Sequence, residues 1–142
     1  MSKENDAVIL SAARTAVGKF QGGLSGISAT KLGAVAVKAA VERAGIDPKD
    51  IEEVLMGNVV QAGNGQAPAR QAAIFAGVPA TVSATAINKV CGSGLKAAMM
   101  SAQAIRAGDG DLFVAGGMES MSRAPYLVSG RSGELKFGNQ AL

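Results

Sequence analysis

Residues 83–107 read SATAINKVCGSGLKAAMMSAQAIRA, and this segment combines the signals of a strand, a turn and a helix. Its first part is short and mostly apolar, which predicts a strand over residues 83–88. The glycines at positions 92 and 94 permit an abrupt turn. The Ala- and Met-rich remainder predicts a helix over Ser93–Ala107 with Gly108 as its stop. Three polar residues interrupt its apolar surface, which predicts a helix buried between two layers.

Cys91 is the one cysteine of the chain, and it lies where the strand gives way to the helix. Unpaired backbone N–H groups and the positive end of the helix dipole favour a thiolate at such a position. Cys91 is therefore a candidate nucleophile. The alternative is a small hydrophobic residue of the core, which is the usual role of an unpaired cysteine. The residues alone leave both interpretations open.

Four neighbours of Cys91 are candidate supports of this turn and of an oxyanion site beside it. Asn88 either holds the turn or simply ends the strand, and turn support fits better. Gly92 and Gly94 serve the backbone geometry rather than direct contact. Ser93 is either a capping hydroxyl for the helix or a substrate contact, and the capping role is the more common one.

The rest of the chain alternates strands and helices. Residues 7–13 form a continuous apolar run, which predicts a buried strand. Ser28 and Gly45 predict the two ends of a helix over Ala29–Ala44. Further elements are predicted as strands over residues 53–61 and 112–115 and as a short helix over residues 68–76, where Pro68 suits the first turn. This order predicts an α/β fold, a mostly parallel mixed sheet covered by helices on both faces.

Composition excludes several classes of protein. Fourteen basic and 11 acidic residues give a formal charge of +3, and the basic residues are dispersed, so no nucleic-acid partner is expected. No segment approaches the ~18 consecutive apolar residues of a membrane span. The polar start and the unpaired cysteine predict a cytoplasmic protein. Neither metal-ligand spacing nor a nucleotide-binding glycine motif occurs, so no cofactor is expected.

Four segments resemble one enzyme family. Residues 88–97, NKVCGSGLKA, resemble the acyl-enzyme cysteine signature of the thiolases. Residues 8–18 (VILSAARTAVG), 65–73 (GQAPARQAA) and 114–122 (VAGGMESMS) match the same family in the same order. The resemblance covers nearly the whole chain, and it implies the N-terminal half-domain of the thiolase fold.

The resemblance implies a chemistry as well. Cys91 would attack an acyl-CoA thioester, and the S-acyl enzyme would then condense with a second acetyl-CoA, with coenzyme A thioesters as substrates rather than cofactors. The backbone N–H of Cys91 would stabilise an oxyanion. Thiolases also use a histidine and a second cysteine from their second half. This chain has no histidine and no second cysteine, so it is expected to need a C-terminal thiolase half as its partner.

The resemblance further predicts residues 1–122 as the nucleophile-bearing α/β domain. Residues 123–142 would be the truncated start of an inserted loop domain. The complete unit is expected to be a homodimer or a tetramer. Two alternatives remain, a thiolase for longer 3-ketoacyl-CoA substrates and a non-catalytic module for dimerisation or acyl-CoA binding.

Overall fold

A computed structural model of the protein describes residues 6–127. The regular elements in chain order are α1 (Ala29–Ala44), β1 (Glu53–Gly57), α2 (Pro68–Phe75), β2 (Ser83–Ile87), α3 (Ser93–Ala107) and β3 (Phe113–Gly117). Single 3₁₀ turns at Pro48–Asp50 and Met121–Arg123 complete the set. None of the helices within residues 6–127 is long and apolar enough to cross a membrane.

The three strands form one parallel sheet in the order β2-β1-β3. Gly57 at the end of β1 is in register with Ile87 on one side and with Gly117 on the other. All three strands therefore end at the same edge of the sheet, which is where crevices form in open parallel sheets. The prediction of an α/β architecture is confirmed, and every strand pair within residues 6–127 is parallel.

Helices cover both faces of this sheet. Val54 and Met56 of β1 are buried in a core with apolar residues of α1 and α2, among them Val37 and Ala72. Alternate residues of a strand point to opposite faces, so Gly57 faces the other way, where the start of α3 packs against it. The sheet thus separates the larger core from α3.

Local signals set the helix ends. The Ser28 hydroxyl accepts a hydrogen bond from the Lys31 N–H at the start of α1. Gly45 and Gly108 follow α1 and α3 in the left-handed conformation, with φ of 67° and 82°. Both helices have the predicted bounds, and at these three ends the reason is that such signals act within a few residues of the chain.

The strand predicted over residues 7–13 is wrong. This segment pairs with no strand among residues 6–127, and Ile9 is 88% exposed. It is held instead against α1, because the Ser11 hydroxyl donates to the Ala40 carbonyl at 2.6 Å and Arg43 donates to the Ala12 carbonyl at 2.8 Å. An apolar run predicts burial, but it does not identify the part of the protein that packs against it.

The remaining strands also differ in their bounds. β1 ends at Gly57 rather than at residue 61, because the next three residues turn away into a hydrogen-bonded loop. β3 begins at Phe113 and runs through both glycines, Gly116 and Gly117. A β-carbon at position 117 would lie 3.4 Å from the Gly94 α-carbon of α3, whereas one at position 116 would lie 3.2 Å from the Met56 sulfur on the other face of the sheet.

Within residues 6–127 α3 is buried on one face only, and its burial between two layers stays a prediction for the complete assembly. Ser93, Ala97 and Ser101 face the sheet and are buried, whereas Leu95 is 70% exposed and Met99 is half exposed. Leu95 and Met99 therefore form an apolar face of α3 that no other part of residues 6–127 covers. The loop-domain start predicted from residue 123 lies mostly outside the described residues, and its boundary stays a prediction.

Candidate active site

The turn between β2 and α3 carries Cys91. The Asn88 side-chain oxygen accepts a hydrogen bond from the Val90 N–H at 3.0 Å. The Gly92 N–H and the Ser93 N–H donate to the carbonyls of Lys89 and Val90, both at 3.1 Å. Cys91 is therefore placed by a tight turn that joins the strand directly to the helix.

Val90 adopts a left-handed backbone conformation, with φ of 48°. This conformation is strained for a β-branched residue and persists only where neighbouring contacts impose it. Here the N–H of Val90 is bonded to Asn88, and its carbonyl accepts hydrogen bonds from the Ser93 hydroxyl and the Ser93 N–H. The residue before Cys91 is thus held from both sides. The sequence around Val90 does not predict this left-handed conformation.

Ser93 has a different role from the predicted cap. The capping position is Gly92, which has no side chain, and Ser93 is the first residue of α3. Its buried hydroxyl accepts from the Lys89 N–H at 2.9 Å and donates to the Val90 carbonyl at 2.6 Å. The hydroxyl therefore bonds to the preceding turn rather than to the helix N–H groups.

Close packing of α3 on β1 depends on a glycine that the sequence interpretation missed. A β-carbon at position 57 would lie 2.7 Å from the backbone nitrogen of Gly94. At positions 92 and 94, in contrast, a β-carbon would make ordinary contacts at 3.4 Å or more, and neither residue has a positive φ. Of these three positions, Gly57 is the one that requires the absence of a side chain.

Cys91 is an exposed, free thiol that lines a cleft. The cleft has a volume of about 1100 Å³ and lies at the carboxyl ends of β1 and β3. Val59, Val60 and Glu119, which follow β1 and β3, line it, and so do Arg14 and Lys19 from the segment before α1. The exposure of Cys91 argues against the alternative of a core thiol.

A second group of polar residues, which the sequence analysis did not predict, connects Glu119 in the cleft lining to α2 by hydrogen bonds. Asn58 follows β1 directly and is 0% exposed, and its side-chain nitrogen donates to a Glu119 carboxylate oxygen at 2.9 Å. Asn64 donates to the Asn58 side-chain oxygen at 3.3 Å, and Gln71 donates to the Asn64 carbonyl at 2.6 Å. These residues are up to 61 positions apart, so no local pattern could reveal the group.

The comparisons with known proteins agree with this fold. The family model described as "Thiolase, N-terminal domain" matches residues 7–142. The protein belongs to the thiolase family.

Among solved structures, a thiolase from Ascaris suum in complex with coenzyme A has a TM-score of 0.87 and 44% sequence identity, over 96% of this chain and 35% of that one. An acetyl-CoA acetyltransferase from Cupriavidus necator is 59% identical over 96% of this chain. A mitochondrial acetyl-CoA acetyltransferase from Xenopus tropicalis is 58% identical over 88% of it. The chain spans only about a third of the length of these relatives, 35% and 30% respectively.

Proposed function

We propose that this chain is the nucleophile-bearing part of an acetyl-CoA C-acetyltransferase, with Cys91 as the residue that carries the acyl group. The observation that carries the proposal is the exposed Cys91 thiol at the start of α3, on the wall of a large cleft in a thiolase-family fold. Relatives from bacteria and from mitochondria, at 50–59% identity, bear the name acetyl-CoA acetyltransferase.

In the proposed reaction the Cys91 thiolate attacks the thioester carbonyl of one acetyl-CoA. The new C–S bond forms, the bond to coenzyme A breaks, and coenzyme A leaves as a thiol after taking up a proton. A base then removes a proton from the methyl group of a second acetyl-CoA. The resulting carbanion attacks the acetyl carbonyl, and the products are acetoacetyl-CoA and the free Cys91. The covalent intermediate divides one difficult condensation into two easier steps.

The described residues fit an anionic substrate. Arg14 and Lys19 line the cleft, and the one acidic residue among the lining residues, Glu119, already accepts three hydrogen bonds. Coenzyme A carries several phosphate charges, and basic side chains around a cleft attract such ligands. The Ascaris suum neighbour was solved with coenzyme A, which supports the same substrate class here.

A region outside this chain completes the proposed enzyme. This chain contains no histidine and only one cysteine, and the condensation needs a base and a second oxyanion site. We assign these to a C-terminal thiolase half that supplies a histidine and a second cysteine, and we call the assembly of both parts the complete enzyme. It is proposed to be a cytoplasmic homodimer or tetramer. No metal enters this chemistry.

Support of the turn around Cys91 is part of the proposal. Asn88 and Ser93 hold Val90 by the hydrogen bonds described above, and Gly92 and Gly94 are proposed to support the backbone of the same turn. The backbone N–H of Cys91 is proposed to stabilise the oxyanion of the acyl-transfer step.

The test is to trap the acyl group. The complete enzyme is mixed with 1-¹⁴C-acetyl-CoA, quenched in acid and digested, and the peptides are identified by mass spectrometry. The label is expected on the peptide that contains Cys91. The variant Cys91→Ser should lose both label and turnover by at least a thousandfold, and Ser101→Ala, on the buried face of α3, serves as a control.

Two outcomes favour the alternatives. If acetyl-CoA labels Cys91 poorly while a longer acyl-CoA labels it quickly, the enzyme is a thiolase for longer 3-ketoacyl-CoA substrates. If no acyl-CoA labels Cys91 in the wild-type complete enzyme, the proposed function is wrong and a binding module is the better description.

A further inference from the structure

We propose that Glu119 is a positioning residue for the reaction of Cys91. Its carboxylate holds the loop that follows β1 as one wall of the cleft, and through Asn88 this loop is connected to the turn that presents the thiol. The inference rests on the proposed function, because it assigns a role to Glu119 in the reactivity of the same cysteine.

The Glu119 carboxylate accepts three hydrogen bonds from the residues that follow β1. The Val59 N–H donates to one oxygen at 2.8 Å, and the Val60 N–H and the Asn58 side chain donate to the other at 3.1 and 2.9 Å. Glu119 itself lies two residues after β3, the strand beside β1. One side chain therefore joins the loops at the ends of two neighbouring strands.

The held loop reaches the Cys91 turn by two routes. The Asn58 N–H donates to the Ile87 carbonyl, the last residue of β2, at 3.0 Å. The Asn88 side chain donates to the Val59 carbonyl at 3.4 Å and accepts from the Val90 N–H at 3.0 Å. The Asn88 amide thus bonds the Glu119-held loop on one side and the strained residue before Cys91 on the other.

A carboxylate is the side chain that this site requires. All three groups that face Glu119 are donors, and an ionised carboxylate offers only acceptors. A glutamine would turn an NH₂ group toward one of these donors and leave at least one of them without its partner, which is costly for groups away from water. The buried Asn58 cannot turn its amide over to compensate, because its oxygen accepts from Asn64 and its nitrogen donates to the Met118 carbonyl.

The chain contains a matched control for this interaction. Glu52 precedes β1 and accepts hydrogen bonds from the backbone N–H groups of Asp111 and Leu112, before β3. It joins the same two strands in the same way, but at their amino ends, away from Cys91. Glu52→Gln therefore shows how the enzyme responds when such a contact is lost at a place that does not touch the Cys91 turn.

The experiment compares Glu119→Gln with Glu52→Gln in the complete enzyme. We expect Glu119→Gln to lower kcat for acetyl transfer at least tenfold and to leave KM for acetyl-CoA within twofold, while Glu52→Gln changes neither at neutral pH. The second-order rate of Cys91 alkylation by iodoacetamide, followed by peptide mass spectrometry, should change at least threefold in Glu119→Gln only. Equal kcat and alkylation rates in the two variants would overturn the inference. A raised KM with unchanged kcat would overturn it too, since that indicates substrate binding.

Asn88→Ala provides a second route should Glu119→Gln fold poorly, because Asn88 is exposed and its loss leaves no buried group. Asn88→Ala should reproduce the effects on kcat and on the alkylation rate. The kcat of the double variant should lie within about threefold of the lower of the two single-variant values, because both residues act through the same contacts. Fully multiplicative losses would show that the two residues act separately. The alkylation rate does not depend on acyl transfer, so failure to label Cys91 with acetyl-CoA would refute the proposed function alone.

Discussion

Gly57 and Ser93 are in direct contact across the interface between β1 and α3: a β-carbon at position 57 would lie 2.6 Å from the Ser93 β-carbon. The end of the central strand β1 thus packs against the first residue of the helix that follows the Cys91 turn. Because Ser93 also bonds both Lys89 and Val90, a displacement of α3 at this point is transmitted to the turn.

Gly57→Ala is expected to impair both folding stability and activity. The added methyl group would overlap backbone atoms, which cannot move aside as a flexible side chain can, and overpacking of this kind costs about 1–3 kcal/mol. Thermal unfolding of the complete enzyme should show a lower Tm, and kcat should fall at least tenfold. Gly23→Ala is the control, because no atom lies within 4 Å of a β-carbon there. A Gly57→Ala enzyme with wild-type Tm and kcat would disprove the tight contact.

Leu95 and Met99 are expected to pack against the C-terminal half in the complete enzyme. They form an exposed apolar face on α3, and the relatives are about three times as long as this chain. Burial of one such side chain contributes about 1.5–3 kcal/mol. Leu95→Lys should therefore weaken the association of residues 1–142 with the C-terminal half by at least tenfold in a titration. Gln103→Lys, on an already polar position of the same helix, should have little effect, and equal losses in both variants would contradict the assignment.

Ala86→Pro is expected to separate the subunits of the complete enzyme. β2 lies at an edge of the sheet within residues 6–127. The Ile87 carbonyl bonds toward β1, so by alternation the N–H of Ala86 points away from β1, where a second copy of β2 could pair with it. Proline removes that donor but is tolerated on an edge strand. Light scattering should show a smaller particle, and Ala86→Ser, which keeps the N–H, should not change the size. Unchanged size in Ala86→Pro would place the subunit contact elsewhere.

Glu52 is expected to make stability fall in acid. Hydrogen bonds from the Leu112 and Asp111 N–H groups hold the pKa of its carboxyl below its ordinary value of 4.5. A lowered pKa in the folded state stabilises the protein above that ordinary value, and the contribution is lost as the pH falls through the lowered pKa. Urea unfolding between pH 7 and pH 3 should therefore show a shallower acid loss for Glu52→Gln than for wild type. Glu42→Gln, whose carboxylate forms an exposed ion pair with Lys38, is the control and should keep the wild-type slope.

Local sequence signals were sufficient to predict the helices and the position of Cys91. Both ends of α1 and the C-terminal end of α3 depend on Ser28, Gly45 and Gly108, which act on backbone groups a few residues away, so the chain near each of these ends contains the whole cause. The alternation of strands with helices likewise determined a parallel α/β sheet, because parallel neighbours need a long crossover.

How these parts meet depends on contacts between segments that are far apart in the sequence. Residues 7–13 are as apolar as a buried strand, yet what pairs with or covers them depends on distant chain, and within residues 6–127 nothing pairs with them. The need for glycine at Gly57, the left-handed Val90 and the contact of Glu119 with Asn58 all arise where segments far apart in sequence come together. Such contacts depend on the order of strands and on the packing distance of helices. Neither can be predicted from a periodicity along the chain.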